Sequence, residues 1–142
     1  MSLALSISGK GSGPVLGTYG LFQDVLDYEL SCAERYRRFI SLVMVRGESS
    51  ASVRRLLAER IRSSDLLAEK NSHLVILMSE TDGVGASIAI DRYKDFCTDH
   101  PLWFSLVTFP QDSGTASELV SAGERRLDAA SKDQPGAIIT TG

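Results

Sequence analysis

Few residues in this chain have the type and spacing for chemistry. The turn Lys70-Asn71-Ser72-His73 separates two apolar runs, a place where a hairpin can present a nucleophile or a metal ligand. Ser72 and His73 are adjacent rather than opposed, and no acid stands ready to orient the imidazole, so they do not form a nucleophile and its base. His73 and His100 have no cysteine or carboxylate at metal-ligand spacing and read as surface histidines. Cys32 and Cys97 lack C-x-x-C spacing and read as reduced, packed thiols rather than a disulfide or a zinc site. Gly9-Lys10-Gly11-Ser12-Gly13 holds the letters of a phosphate loop without its order. What remains is arginine. Between positions 35 and 62 eight arginines face two glutamates, a local charge of +6 in a chain whose remainder carries −9. Guanidinium groups pair with phosphate or guanine in a two-bond fork, so this basic field suits an anion or an acidic partner, against the plainer reading of solvated helix faces.

The elements that position these groups are legible in the hydrophobic pattern. From Tyr19 onward Phe22, Val25, Leu26, Leu30, Ala33 and Tyr36 recur at helical spacing. Phe39–Val45 is a continuous apolar run of strand length, expected to be buried on both faces and broken by Gly47. Ser49 or Ser50 then caps a second helix with the stripe Val53, Leu56, Leu57 and Ile61. Leu66–Glu69 and Leu74–Ser79 form a hairpin around the turn. A third helix places Ala86, Ala89, Ile90, Tyr93, Phe96 and Cys97 on one face and ends at Pro101. Leu102–Phe109 is a fourth strand, in which Trp103 and Phe104 read as core. Thr115 and Glu118 make a capping box for a last helix burying Leu119, Val120, Gly123 and Leu127. Pro135–Gly142 can add a short edge strand.

The resulting order is α+β: a ferredoxin-like β-α-β-β-α-β core with an antiparallel central sheet, an extra N-terminal helix and a C-terminal helix, the helices covering one face of the sheet. Residues 1–14, rich in Ser and Gly, read as a linker or leader, and 15–142 as one domain. With 43% hydrophobic and 23% charged residues the composition is that of a water-soluble globular protein. No apolar run reaches the ~20 residues that span a bilayer, and no secretory signal opens the chain. The expectation is a cytoplasmic domain without membrane insertion or nucleic-acid partner.

Several strings, taken in order, resemble the GGDEF domain, the catalytic unit of bacterial diguanylate cyclases. Thr18–Val45 is similar to the family's entry helix, charged turn and first strand. Arg62-Ser63-Ser64-Asp65 matches the R-x-x-D before its signature hairpin. Phe104–Ser131 resembles its closing strand, Pro-containing loop and final helix, and Pro135–Ile139 its terminal strand. The similarity covers Gly17–Ile139. It implies a nucleotide cyclase-like fold and a place in bacterial signal transduction.

The departures bear on activity. Aligned on the following strand, Lys70, Asn71, Ser72, His73 and Leu74 stand over G-G-D-E-F, in a turn one residue shorter than the usual one. They supply neither glycines that let the backbone close on guanine nor an acidic pair. The aspartate that should end the first strand falls on Val45 or Arg46, and a guanidinium there would repel magnesium. Only fifteen residues, Gly47–Ile61, separate that strand from R-x-x-D, too few for the family's substrate-holding segment. The expectation is therefore a degenerate domain with no enzyme activity, no metal and no cofactor.

In relatives R-x-x-D is an inhibitory site for cyclic di-GMP. Arg62 can address the O6/N7 edge of guanine and Asp65 its N1 and N2, with Arg54 and Arg55 available to the phosphates. The plainer reading is an arginine in a helix's last turn and an aspartate organising the turn after it. The favoured function is a non-catalytic regulatory module acting through contacts with other domains of the same or a partner signalling protein. The alternatives are a cyclic di-GMP receptor, a weakly active cyclase and an unrelated ferredoxin-like interaction domain. Tyr28, Tyr36, Arg35, Arg37 and Arg38 form a helix surface suited to an interdomain or homodimer contact.

Overall fold

A computed structural model describes residues 19–47, 50–70 and 73–142. The leader, Glu48, Ser49, Asn71 and Ser72 lie outside the described residues, and so does the side chain of Ser50. The order is α1 (Tyr19–Tyr36), β1 (Ile40–Gly47), α2 (Ser50–Ala58), β2 (Asp65–Lys70), β3 (His73–Ser79), α3 (Gly83–Phe96), β4 (Leu102–Phe109), α4 (Ala116–Ala130) and β5 (Ile138–Ile139). The strands lie side by side as β2-β3-β1-β4-β5. Among the first four each strand is antiparallel to its neighbour, and β5 runs parallel to β4 at the edge.

β1 is the centre. Ile40–Val45 is buried throughout, and successive side chains leave on opposite faces. Val43 and Val45 join Val53, Leu57, Ile76, Ile90 and Phe104 in a core under α2 and α3. Leu42 and Met44 join Phe22, Leu26, Val75, Leu119 and Leu127 in a second core under α1 and α4. The expectation of helices on one face holds for α2 and α3 alone. The apolar stripes of α1 and α4 cover the other face, which the aliphatic residues of β1 and β3 require.

Several boundaries differ from the sequence pattern. Tyr36 and Phe96, placed on buried stripes, are exposed at the ends of their helices. Phe39 precedes β1 and is exposed, whereas Gly47 continues the strand. A Cβ at Gly47 would stand 2.7 Å from a methyl of Leu102, which is why a residue without one fits there. Ile61 is buried beyond the end of α2 rather than on it.

Several of the buried polar groups in this fold are paired with one another. Ser41 Oγ donates to Thr81 O at 2.7 Å and lies 3.1 Å from Thr108 Oγ1. Asp112 accepts from Thr108 N at 2.8 Å and from Arg126 Nη2 at 3.0 Å. Arg126 is itself buried and also donates to Leu106 O at 2.7 Å. Burial works to raise the Asp112 carboxyl, but the Arg126 and Thr108 hydrogen bonds outweigh it and hold the group below its ordinary value. The stability it contributes is present above about pH 4 and is lost as pH falls through the depressed folded value. Asp112→Asn leaves a buried guanidinium without its counter-charge and is expected to cost about 3 kcal/mol, measured by urea unfolding at neutral pH.

Candidate functional site

The hairpin end of the sheet gathers charge. Arg46, on the face of β1 that meets α4, donates through Nη1 to Asp128 Oδ1 at 3.0 Å and to Ser131 Oγ at 2.8 Å. Lys70 and His73 are paired in register and close the β2–β3 ladder. Lys70 Nζ lies 2.8 Å from Glu124 Oε2 and 4.7 Å from the centre of the Tyr19 ring. His73 is buried, not the surface residue the sequence suggested, with Nε2 3.9 Å from the same carboxylate oxygen. Val45 and Leu74 face each other across the β1–β3 ladder and are sealed in the core under α2 and α3.

Among the described residues three polar atoms at this end are buried without a hydrogen-bond partner: Tyr19 Oη, Arg46 Nε and His73 Nε2. Burial, helped by Glu124, pushes the Tyr19 hydroxyl up to about 12. Burial also holds the His73 imidazole below its ordinary value. Glu124 opposes that depression, while Arg46 and Lys70 add to it. Beside this cluster α1 and α4 border a cleft of about 440 Å³ lined by Asp24, Asp27, Lys70, Ser117, Ser121 and Glu124. Among the described residues no three His, Cys, Asp or Glu side chains stand together as a metal-binding group.

Arg62 and Asp65 meet at the opposite end of β2. Asp65 opens the strand with its carboxylate buried, accepting from Arg62 N at 3.0 Å and from Arg62 Nη2 at 3.0 Å. Arg62 follows α2 in the loop rather than ending the helix, so the helix dipole does not act on it as the sequence suggested. Its Nη2 also donates to Thr81 Oγ1 at 2.6 Å, and its side chain remains 48% exposed. The pair therefore tethers the α2–β2 loop to the start of α3, and the aspartate's acceptors are already occupied. Arg54 turns to Glu69 on β2 at 3.7 Å, and Arg55 is exposed. The residue that sequence reasoning missed is Arg92, on α3. It lines a cleft of about 290 Å³ together with Arg62, Thr81 and Asp82. Arg92 lies at i+3 from Ala89 on an otherwise apolar pattern, and only the packing of α3 beside the Arg62 loop brings the two guanidinium groups to one cleft.

No family sequence model and no curated protein matches this chain. Solved structures do. A truncated YfiN from Pseudomonas aeruginosa comprising only the GGDEF domain superposes with a TM-score of 0.81 at 14% identity, covering 96% of this chain and 95% of that one. The active GGEEF domain of a diguanylate cyclase from Vibrio cholerae gives 0.73 at 9% identity, over 84% and 94%. The coiled coil and GGDEF domain of DgcB from Caulobacter crescentus, in complex with c-di-GMP, gives 0.76 at 10% identity, over 96% and 85%. The chain has the fold of a GGDEF domain. No helix among the described residues is long and apolar enough to cross a membrane.

The depressed His73 gives a pH signature. The unfolded chain takes a proton near pH 6.5 that the folded chain resists, so stability falls as pH drops below that value. The slope is expected to reach at most about 1.4 kcal/mol per pH unit. Urea midpoints between pH 7.5 and 5.5 should fall more steeply for the native chain than for His73→Gln.

Proposed function

We propose that this chain is a non-catalytic GGDEF-like signalling module, working through contacts with other domains of its own or a partner signalling protein. The observation that carries this reading is which residues stand at the hairpin end of the sheet. Transfer of a nucleotidyl group requires oxygen ligands for divalent cations beneath a triphosphate. The positions set against the family's metal-bearing residues are Val45 or Arg46 at the end of β1, and Ser72 and His73 in the turn, of which Ser72 lies outside the described residues. Val45 is a core hydrophobe and Arg46 a fixed cation. The nearby carboxylates, Asp128 and Glu124, are spent on Arg46 and Lys70. Among the described residues the electrostatic stabilisation that such chemistry relies on has no source at this end of the sheet.

A second reading, a receptor for cyclic di-GMP, is favoured by one observation: Arg62 and Arg92 line the same cleft. Guanine recognition there would have to proceed without the Asp65 carboxylate or break its bonds to Arg62.

Incubation of the chain with GTP and magnesium is expected to yield neither cyclic di-GMP nor guanosine diphosphate above the protein-free blank. Turnover proportional to protein concentration would contradict the first reading. Calorimetric titration with cyclic di-GMP separates the second: saturable heat that Arg62→Ala and Arg92→Ala each abolish would establish it, and heat indistinguishable from dilution would dismiss it.

A further inference from the structure

Two helices roof one face of the five-stranded sheet: α2 packs over β1 and β3, and α3 over β1 and β4. Beyond α3, toward the β5 edge, no described helix continues that layer. The strip beside α3 is a cleft of about 640 Å³ with Leu106 and Thr108 of β4, both buried, at its floor. Val84, Ile88 and Asp91 of α3 form its wall, and Phe39 borders it. Val84, Ile88 and Phe39 are 71%, 57% and 41% exposed. Single apolar residues on a surface are ordinary, but a set that lines one groove marks a contact.

The charged residues that line this groove have one sign. They are Asp82, Asp91 and Asp112, without a Lys or Arg among them. Asp112 is bound to Arg126, and Asp82 caps α3 by accepting from Gly85 N at 2.9 Å. Asp91 is exposed and makes no ion pair among the described residues. Exposed Asp95, four residues on, continues the same side of the helix. Arg62 and Arg92 line the neighbouring cleft, on the side of α3 that carries Gly85 and Ala89. Asp82 and Phe39 border both clefts, so the arginines bear on Asp82, whereas Asp91 lines the groove only.

We propose that the groove between α3 and the β4–β5 edge docks a basic amphipathic helix of a partner protein. The inference rests on the reading that the domain acts through contact, and it names the partner's chemistry. A helix laid beside α3 continues the layer that α2 and α3 begin. Its apolar stripe would cover Val84, Ile88, Phe39 and Leu106, the way an amphipathic helix fills a groove. Lys or Arg at the edge of that stripe would meet Asp91 and Asp95, which fixes the helix's register and speeds its encounter. The 14 residues of α3 run for about 21 Å, a wall long enough for about four turns of the partner. An acidic helix would set carboxylate on carboxylate at Asp91, and so is excluded by the same charges.

The probe is a synthetic helical peptide with leucines at spacings of three and four and lysines flanking them, titrated into chain labelled at its Ile, Val and Leu methyl groups. The expected result is saturable shifts at Val84, Ile88 and Leu106, with Leu119 and Val107 in the opposite core unmoved. Ile88→Glu and Asp91→Lys should each weaken binding at least about tenfold, the loss from Asp91→Lys shrinking in high salt. Both side chains are exposed, so circular dichroism and melting should stay as in the native chain. Tyr36→Glu, on a separate exposed surface, should bind the peptide like the native chain. Equal binding of the same peptide with glutamate in place of lysine, shifts that avoid α3, or binding indifferent to Ile88→Glu and Asp91→Lys would each overturn the proposal. So would shifts at Val84 and Ile88 that grow with the concentration of the chain alone, because the occupant would then be a second copy. The two readings fail separately: turnover of GTP contradicts the absence of catalysis and leaves the groove untouched, whereas an unfilled groove leaves the absence of catalysis standing.

Discussion

The two-sided burial of β1 is the constraint on which the rest of this molecule depends. A strand with no solvent face cannot carry free charge along its length, so Ile40–Val45 is aliphatic apart from Ser41, which is hydrogen-bonded. It also cannot stand without helices on both sides. Alternate residues feed two cores, and the layers above and below follow from that demand. Only where the strand runs out, at Arg46, does the sequence become free to place a charge. What it places there decides the chemistry of the domain.

At that end the described charges pair with one another. Arg46 is bound to Asp128 and Lys70 to Glu124, each across from a strand to α4. His73 sits behind them, buried and held toward its neutral form. The other end of the sheet is tied by Arg62, Asp65 and Thr81, with Ser41, Thr108, Asp112 and Arg126 continuing the polar links toward α4. The R-x-x-D string thus has a structural task in this chain, joining the loop after α2 to the start of α3.

The sequence revealed most where a single physical signal dominated. The unbroken run in β1, the spacing of four in α1 and the Thr115 cap of α4 are local, and the structure follows each of them. Helix ends were less legible, because a pattern of spacing continues past the point where packing stops: Tyr36 and Phe96 extend their stripes into solvent. The burial of His73 was hidden for a different reason. It depends on Glu124 and the other residues of α4 that close over the hairpin, some fifty positions away in the chain. Arg92 was hidden likewise, since its nearness to Arg62 comes from the packing of α3 and from no motif. Charge placement at the turn was legible as a departure from the GGDEF pattern, but its pairing with α4 was not.

We propose that the sheet end at Val45, Arg46, His73 and Leu74 does not seat a divalent cation beneath a nucleotide. Paramagnetic broadening measures this most directly: manganese and a non-hydrolysable GTP analogue are titrated into chain labelled at its Val and Leu methyl groups. The account predicts that the signals of Val45 and Leu74 broaden no more than those of Val107 and Leu119 elsewhere in the cores. Selective, saturable loss of the Val45 and Leu74 signals, dependent on the nucleotide, would contradict it.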